Sequence, residues 1–531
     1  MLRATRCLLV YPRFAMRSFW NFRATCELRG AKYPTTPLGL ITVAALLPTD
    51  WEPRLVDCNV EELTDADLDW ADLVLTGGML PQQASTLQII TRVQSRGKTV
   101  VVGGPDATSS PHVYDHADVM ITGEAEITVP QWLADLHAGR VQKRYDAGNQ
   151  RADVAASPLP RFDLLKFDRY LYCGIQFARG CPFLCEFCDI IELFGRVPRL
   201  KSNDQMLGEL DRLYELGYRG HVDFVDDNFI GNKRDVKKFL PHLIAWQQRH
   251  NWPFEFSTEA SINLADDDEL LSLMQQAGFS VVFVGIESPD EVTLRQMQKS
   301  QNTRRKLAAN LHKIYSYGMY INTGYIVGFD SEQGNVADGV LELIEAGATP
   351  INMVGLLFAL PGTQLTRRLQ QEGRLHQGFD RVDETYDLGD QCTAGLNFVT
   401  KRPRGEILRD FHRIVAESYA PAAYFARVRR VCLALNCTQK KHRLPWQRVV
   451  RDLLRSPRLV WRAGIRPAYR SEFWRTLASV LHGNPRAFWY AVTFCAMFLH
   501  FDEFRDYLLL RIQQRIDFEE SAPSPAPVVL C

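Results

Sequence analysis

Short apolar runs alternate with helix-length amphipathic segments through the first 375 residues, and the alternation falls into two stretches. In the first, up to about residue 145, Leu8–Pro12, Pro53–Asp57, Ala71–Thr76, Thr99–Gly103 and Asp118–Thr122 read as strands. Helical segments such as Leu38–Leu47 and Ala84–Arg96 lie between them. Near-continuous apolar strands separated by helices predict a parallel sheet covered on both faces, here a doubly wound, flavodoxin-like α/β domain over 1–145. Such sheets bind ligands beyond the carboxyl ends of their strands. A polar linker over 146–170, with Pro158 and Pro160, leads into the second stretch. There Leu171–Phe177, His221–Val225, Phe254–Thr258, Val281–Ile286, Tyr320–Val327 and Ile351–Phe358 read as strands, each followed by a helix. Six βα units over 171–375 are two short of a closed TIM barrel and predict an open, partial (β/α)6 barrel. From 376 to 531 the alternation gives way to a mainly helical pattern rich in arginine and aromatic residues. Its longest apolar run, Phe488–Phe501, is too short to span a bilayer and is expected to be a buried core helix.

The predicted strand ends carry the first chemical signals. Gly77-Gly78 follows the third strand, Gly103-Gly104 the fourth and Gly123 the fifth, where glycine lets backbone approach a ligand closely. The first strand is followed by Tyr11-Pro-Arg-Phe14 and not by a G-x-G-x-x-G turn, which disfavours a nicotinamide or flavin dinucleotide. Composition narrows the class further. With 46% hydrophobic and 23% charged residues the chain is ordinary globular protein, and its zero net charge argues against a nucleic-acid partner. Twelve cysteines scattered over 531 residues suit a reduced, cytoplasmic protein better than a disulfide scaffold. The first apolar run, Cys7–Tyr11, is too short for a signal h-region and is expected to be a first strand.

Three of those cysteines are not scattered. Cys181, Cys185 and Cys188 share one loop, Gly180-Cys-Pro-Phe-Leu-Cys-Glu-Phe-Cys-Asp189, at the end of the first barrel strand. Thiolates at this spacing can turn on one ion or cluster. Three ligands leave one corner open, which suits an iron–sulfur cube that binds a substrate at its free iron. A structural zinc knuckle needs a fourth ligand, and the nearest candidates, Cys173 and His221, belong to other elements.

The spacing and the aromatic Phe187 before the last cysteine resemble the signature of the radical S-adenosylmethionine (SAM) superfamily. The doubly wound domain ahead of the loop resembles the module of that superfamily's cobalamin-dependent class. The helical C-terminal region resembles the extension of a branch that includes hopanoid methylases. The resemblance implies a 4Fe-4S cluster on Cys181, Cys185 and Cys188, with SAM and cobalamin as further cofactors. It places Asp226, Asp227 and Asn228 where the family holds the SAM amino group. Glu259 and Glu287 are candidates for ribose or ammonium, and Gly324, Ile326 and Gly328 for flanking the adenine. Gly78, Gly103 and Gly104 are candidates for contact with cobalamin. Better-known relatives of the module carry Asp-x-His-x-x-Gly, whose histidine ligates cobalt; here Asp57 is present but Asn59 stands in the histidine's place.

The implied activity is methylation of an unactivated carbon, one SAM donating a methyl group to cobalamin and a second being cleaved to a 5′-deoxyadenosyl radical. The substrate would be a small molecule, a lipid or natural product, and the electron donor a flavodoxin or ferredoxin. Alternatives are radical cyclisation of the porphyrin-ester type, a non-catalytic cobalamin sensor, or a zinc-stabilised scaffold. Arg179 and Arg196 flank the cluster loop, where they can meet an anionic cluster, the SAM carboxylate or solvent. Cys392 is either a hydrogen-atom donor or incidental. The stretch 440–475, with eleven basic residues and three tryptophans, fits either peripheral membrane contact or a solvated helical face.

Overall fold

The computed structural model describes residues 5–14, 17–380, 395–437 and 457–521. Cys392 and residues 440–456 of the basic stretch lie outside the described residues. The N-terminal sheet has strands β1 (Arg6–Tyr11), β2 (Glu52–Asp57), β3 (Leu73–Gly77), β4 (Thr99–Gly103), β5 (Val119–Thr122) and β6 (Arg144–Asp146). They run parallel in the order β2-β1-β3-β4-β5-β6, the doubly wound arrangement expected. Five strands fall where their apolar runs predict. The sixth, Arg-Tyr-Asp, escapes because only Tyr145 of its three residues is buried.

The barrel sheet follows with β7 (Cys173–Ile175), an antiparallel ribbon β8 (Ala178–Arg179) and β9 (Arg199–Leu200), then β10 (Gly220–Phe224), β11 (Phe254–Glu259), β12 (Phe279–Glu287), β13 (Tyr320–Val327) and β14 (Ile351–Leu356). Its order is β14-β13-β12-β11-β10-β7, all parallel, with β7 and β14 as edges. The open six-unit barrel is therefore present. Only the ribbon that brackets the cysteine loop went unforeseen, two residues per strand being too few for a pattern.

The barrel helices form for local reasons. Helix Lys233–Arg249 buries Val236, Phe239, Leu240, Leu243 and Trp246 at helical spacing against the sheet. A capping box between Ser202 and Gln205 starts helix Asn203–Glu215. Asp267 caps helix Asp268–Ala277, and Gly278, at φ 102°, ends it in the left-handed region. One face of the N-terminal sheet shares a continuous apolar core with the barrel and the C-terminal helices, while the other face has its own core around Val10, Val74, Ile90 and Val102.

The C-terminal helices Arg404–Ser418, Pro421–Ala434, Arg470–Gly483 and Phe488–Ser521 brace the open side of the barrel. The apolar run Phe488–Phe501 is core, as expected: Ala491, Phe494, Cys495, Phe498 and Phe501 are buried. Among the described residues no helix is long and apolar enough to cross a membrane. Edge strand β14 is closed by one side chain. The Tyr419 hydroxyl accepts the Asn352 N–H at 3.0 Å and donates to the Asn352 carbonyl at 2.8 Å, standing in for a neighbouring strand. Arg427, fully buried, donates to the Thr349 carbonyl at 2.8 Å and pairs with Glu345.

The segment after β1 leaves its own domain and is held by these helices. Phe19 packs on Tyr419, Phe501 and Phe504, His500 Nε2 lies 3.0 Å from the Ser18 carbonyl, and Trp20 lies over Phe283 of β12. Tyr419→Phe removes the hydroxyl and leaves a buried strand N–H and carbonyl unpaired. It should cost about 1–3 kcal/mol, measured as a lower urea midpoint at unchanged slope.

Candidate active site between the two sheets

The carboxyl ends of β3, β4 and β5 form a glycine-built floor. A Cβ on Gly77 would strike the Gly103 carbonyl, and one on Gly123 would come within 2.5 Å of the Ala147 side chain. Gly104 adopts φ 93° with Gly78 backbone 3.1 Å from where its Cβ would be. Glycine is required at these positions because neighbouring protein atoms already occupy the place of each Cβ. Above it lies a cavity of about 350 Å³ that also takes Gln176, Arg179, Phe194 and Val225 from the barrel side. Gly78, Gly103 and Gly104 all line it, as expected. Asn59 does not. Its side chain is spent on the Phe14 N–H (2.9 Å), the Pro12 carbonyl (3.1 Å) and Asp57 (2.8 Å), and no histidine lines this cavity.

In the barrel, the cysteine loop is hung from the strand ends by carboxylates. Asp226 accepts the N–H of Phe177 (3.1 Å) and of Ala178, and Asp227 accepts the N–H of Gly180 at 3.0 Å. Burial pushes Asp226 up to about 8 and Asp227 up to about 6. These two acids thus position the loop, their oxygens being turned to its backbone. Asn228 continues the run differently: its amide nitrogen lies 3.9 Å from Cys181 Sγ and 3.2 Å from Ser261 Oγ.

Two residues absent from the sequence expectations complete the surroundings of the thiols. Gln301 Nε2 lies 3.6 Å from Cys185 Sγ, and the Lys299 ammonium lies 5.9 Å from the Phe187 ring centroid while pairing with Glu287 at 2.5 Å. Burial opposes the charge of Lys299, but Glu287 and the cysteines outweigh it and raise its pKa. A cation and two amide N–H donors around three sulfurs suit thiolates and an anionic cluster. Neither residue is legible in a motif, because Lys299 and Gln301 sit in a turn after a short helix of the fourth βα unit.

Among the described residues no three His, Cys, Asp or Glu side chains converge on a single-ion site. A four-iron cube gives each thiolate its own iron and spreads its ligands wider than one ion does. The zinc alternative loses its fourth ligand, since Cys173 Sγ faces Thr36 Oγ1 at 3.7 Å and His221 Nε2 faces Ser257 Oγ at 2.7 Å.

The strand-end acids gather beside this loop. Glu259 has no hydrogen-bond partner among the described residues, and burial with Asp223, Asp227 and Glu287 nearby pushes it up to about 8. Glu287 is held in the left-handed region at φ 63°, a strain of order 1–3 kcal/mol. Ile326 and Gly324 face the barrel interior, where a Cβ on Gly324 would come within 2.9 Å of Phe283. Gly328, by contrast, is packed under Leu396, and its N–H donates to both Glu332 oxygens at 3.0 Å. Its glycine is explained by that packing and by φ 115°.

Arg179 corrects another expectation: it meets neither solvent nor cluster. Its guanidinium reaches across to the N-terminal domain, 3.0 Å from Glu124 and 2.7 Å from Glu126, and Arg199 joins Glu124 at 2.9 Å. Burial works against the charge on Glu126, yet the Arg179 hydrogen bonds and charge hold it down to about 2. Arg196 is exposed, its guanidinium 3.4 Å from the Pro182 carbonyl.

A doubly wound parallel sheet packed beside an open six-unit barrel, with three cysteines in the loop after the first barrel strand, is a fold shared with solved cobalamin-dependent SAM radical enzymes. Residues 175–344 match the radical SAM superfamily, and residues 363–514 match a domain of unknown function, DUF4070. An uncharacterized methyltransferase of Synechocystis sp. is 41% identical, covering 98% of each chain. The hopanoid C-2 methylase of Rhodopseudomonas palustris is 34% identical, covering 90% of each. Magnesium-protoporphyrin ester cyclases match at lower identity over about half of the chain. The cobalamin-dependent SAM radical enzyme OxsB shares the fold, with a TM-score of 0.60 at 14% identity, covering 99% of this chain and 82% of that one. The chain belongs to the radical SAM methylase family of the Synechocystis and Rhodopseudomonas palustris relatives. It is a radical SAM methyltransferase, and the sensor and scaffold alternatives fall away.

Two outcomes follow from this electrostatics. Arg179→Met strands the buried Glu126 carboxylate, Glu124 keeping Arg199, and should cost about 3–5 kcal/mol; cleavage of SAM to 5′-deoxyadenosine should fall less than product methylation, measured on the same reconstituted sample. For Glu259 the folded pKa lies above the unfolded value of 4.5, so its charge penalty sets in as pH rises from there through about 8. Glu259→Gln should therefore raise the melting temperature of the cofactor-free protein at pH 8 by a few degrees and leave it unchanged near pH 4, while weakening SAM binding at least about tenfold, about 1.4 kcal/mol.

Proposed function

We propose that this protein methylates an unactivated carbon of an apolar polycyclic lipid of the hopanoid type, using a 4Fe-4S cluster, SAM and cobalamin. The observation that carries the reading is a cavity lined from both domains, with the glycine floor on one side and, on the other, Gln176, Arg179, Leu193 and Phe194, which flank the cluster loop in sequence. Similarity to the hopanoid C-2 methylase over 90% of the chain, C-terminal helices included, supports the substrate class.

In this reading Cys181, Cys185 and Cys188 hold the cluster, with Phe187 and Lys299 against it and Asn228 and Gln301 directing N–H groups at the sulfurs. Glu259 and the Glu287–Lys299 pair face the cationic head of SAM, and Gly324 and Ile326 leave room for its adenine. The glycine floor over 1–145 carries cobalamin, a reading supported by the bare backbone of Gly77, Gly78, Gly103, Gly104 and Gly123 along the cavity. Bound together, the cofactors supply a hydrogen-abstracting radical and a methyl group. The chain's own task is to hold both against one substrate, which the Arg179 bridge and the Asp226 and Asp227 tethers accomplish. A flavodoxin or ferredoxin supplies the electron, and the substrate is drawn from a membrane.

Reconstituted anaerobically, the protein should convert a hopanoid into a product one carbon heavier, with 5′-deoxyadenosine formed alongside. Alanine at Cys181, Cys185 and Cys188 together should abolish the brown absorbance and all 5′-deoxyadenosine. Bound cobalt(II) should show no imidazole nitrogen coupling in its electron paramagnetic resonance spectrum. A triple variant that still cleaves SAM, or hopanoids returned unmethylated by the active enzyme, would refute the respective part.

A further inference from the structure

The C-terminal helices present a face whose composition is unlike that of a brace. Trp461 and Ile465 are 57% and 51% exposed and stand one turn apart. Trp474 is 48% exposed and packs against them, donating from Nε1 to the Gly464 carbonyl at 2.8 Å. Leu481, 56% exposed, lies seven residues further along helix Arg470–Gly483, two turns or about 10 Å away on the same side. Leu433 and Trp489, both about half exposed, lie at that end, Leu433 against Gly483 and Trp489 just past the turn that Asn484 ties to helix Pro421–Ala434. Large apolar side chains set together in this way mark an interaction surface.

The charge around the face selects the partner. Residues 457–489 carry six arginines against one acid, Glu472. Arg462 is paired with Glu27 and Glu503, and Arg475 with Glu472. Arg458, Arg466, Arg470 and Arg486 have no carboxylate partner among the described residues. Exposed tryptophan and aliphatic side chains rimmed by unpaired arginine suit the headgroup region of an anionic bilayer, indoles at the interface and guanidinium groups on phosphate. The face also leads inward. A groove of about 460 Å³ beside Trp461 and Arg458 is bordered by Glu27, which also borders a cavity of about 630 Å³ reaching Phe14, Tyr33 and Asn59 at the mouth of the N-terminal sheet. Phe14 in turn meets Tyr11, which lines the cofactor cavity.

We propose that the face carrying Trp461, Ile465, Trp474 and Leu481 docks the protein on an anionic lipid bilayer, with the groove beside Trp461 turned toward the lipid. The purpose of this docking rests on the reading of a membrane-resident substrate, but its geometry does not, and lipid association and turnover are measured separately.

The test uses the full chain reconstituted with its cluster, floated with vesicles of phosphatidylcholine alone or mixed with phosphatidylglycerol. Wild type should float with the mixed vesicles, less so as salt is raised, and stay down with phosphatidylcholine alone. The variant Arg458→Gln/Arg466→Gln/Arg470→Gln should lose about a hundredfold in lipid affinity at roughly one tenfold step or less per charge. Trp461→Ala/Leu481→Ala should lose at least about tenfold for the apolar area removed. Both should cleave SAM at the wild-type rate, which shows that they fold. In wild type, brominated phosphatidylglycerol should quench tryptophan fluorescence, a readout that needs no variant. Absence of flotation and quenching, flotation indifferent to lipid charge, or competition by RNA in place of lipid would overturn the proposal. Methylation of detergent-dispersed hopanoid without flotation would sink the docking and spare the substrate reading; flotation without methylation would do the reverse.

Discussion

The bridge from Arg179 to Glu124 and Glu126 fixes the distance on which everything else in this molecule depends. Arg179 stands two residues before Cys181, and Glu124 directly follows Gly123 of the glycine floor. One guanidinium therefore joins the loop that carries the cysteines to the surface that faces them. The pair is almost wholly buried, so neither water nor salt weakens it as they would a surface pair. Removing one partner leaves charge without compensation, which makes the geometry close to all-or-none. Two reactive cofactors can share one substrate only if their separation does not drift, and a buried ion pair is stiffer than a loop.

Around that bridge the barrel mouth divides its acids by task. Asp226 and Asp227 hold backbone, and their raised pKa values record the cost of burial. The Glu259 carboxylate has no hydrogen-bond partner among the described residues, and burial beside other acids pushes it up to about 8. Lys299 counters the sulfurs and restrains Glu287 in a strained conformation. A site that must bind a sulfonium and an anionic cluster a few ångströms apart needs both signs of charge in fixed places. The strand ends of an open barrel provide them without long side chains reaching in.

The C-terminal helices do more than cover apolar surface. Through Tyr419 and Arg427 they close the edge strand β14, and through Tyr419, Phe501 and Phe504 they hold the segment after β1 over the barrel. That segment belongs in sequence to the N-terminal domain, so the same helices tie all three regions together. A face left over from this bracing carries tryptophan and arginine.

Legibility in the amino-acid order followed the range of each interaction. Both sheets and the open barrel were readable because apolar strand runs and helical periodicity are local and repeat many times. The cysteine loop was readable because its ligands lie within eight residues of one another. Strand β6 and the ribbon β8–β9 were not, being too short for any period to show. Nor were Lys299, Gln301 and the Arg179 bridge, or the closing of Gly328 by Leu396. Each joins residues tens to more than a hundred positions apart, and nothing in the residues near either partner distinguishes a buried ion pair from two solvated charges. Periodicity and spacing decided which elements form and gathered three cysteines into one loop. Only the packing of one sheet against the other decided which polar side chains are desolvated, and desolvation is what turns a charge into a tether, a counter-ion or a binding group.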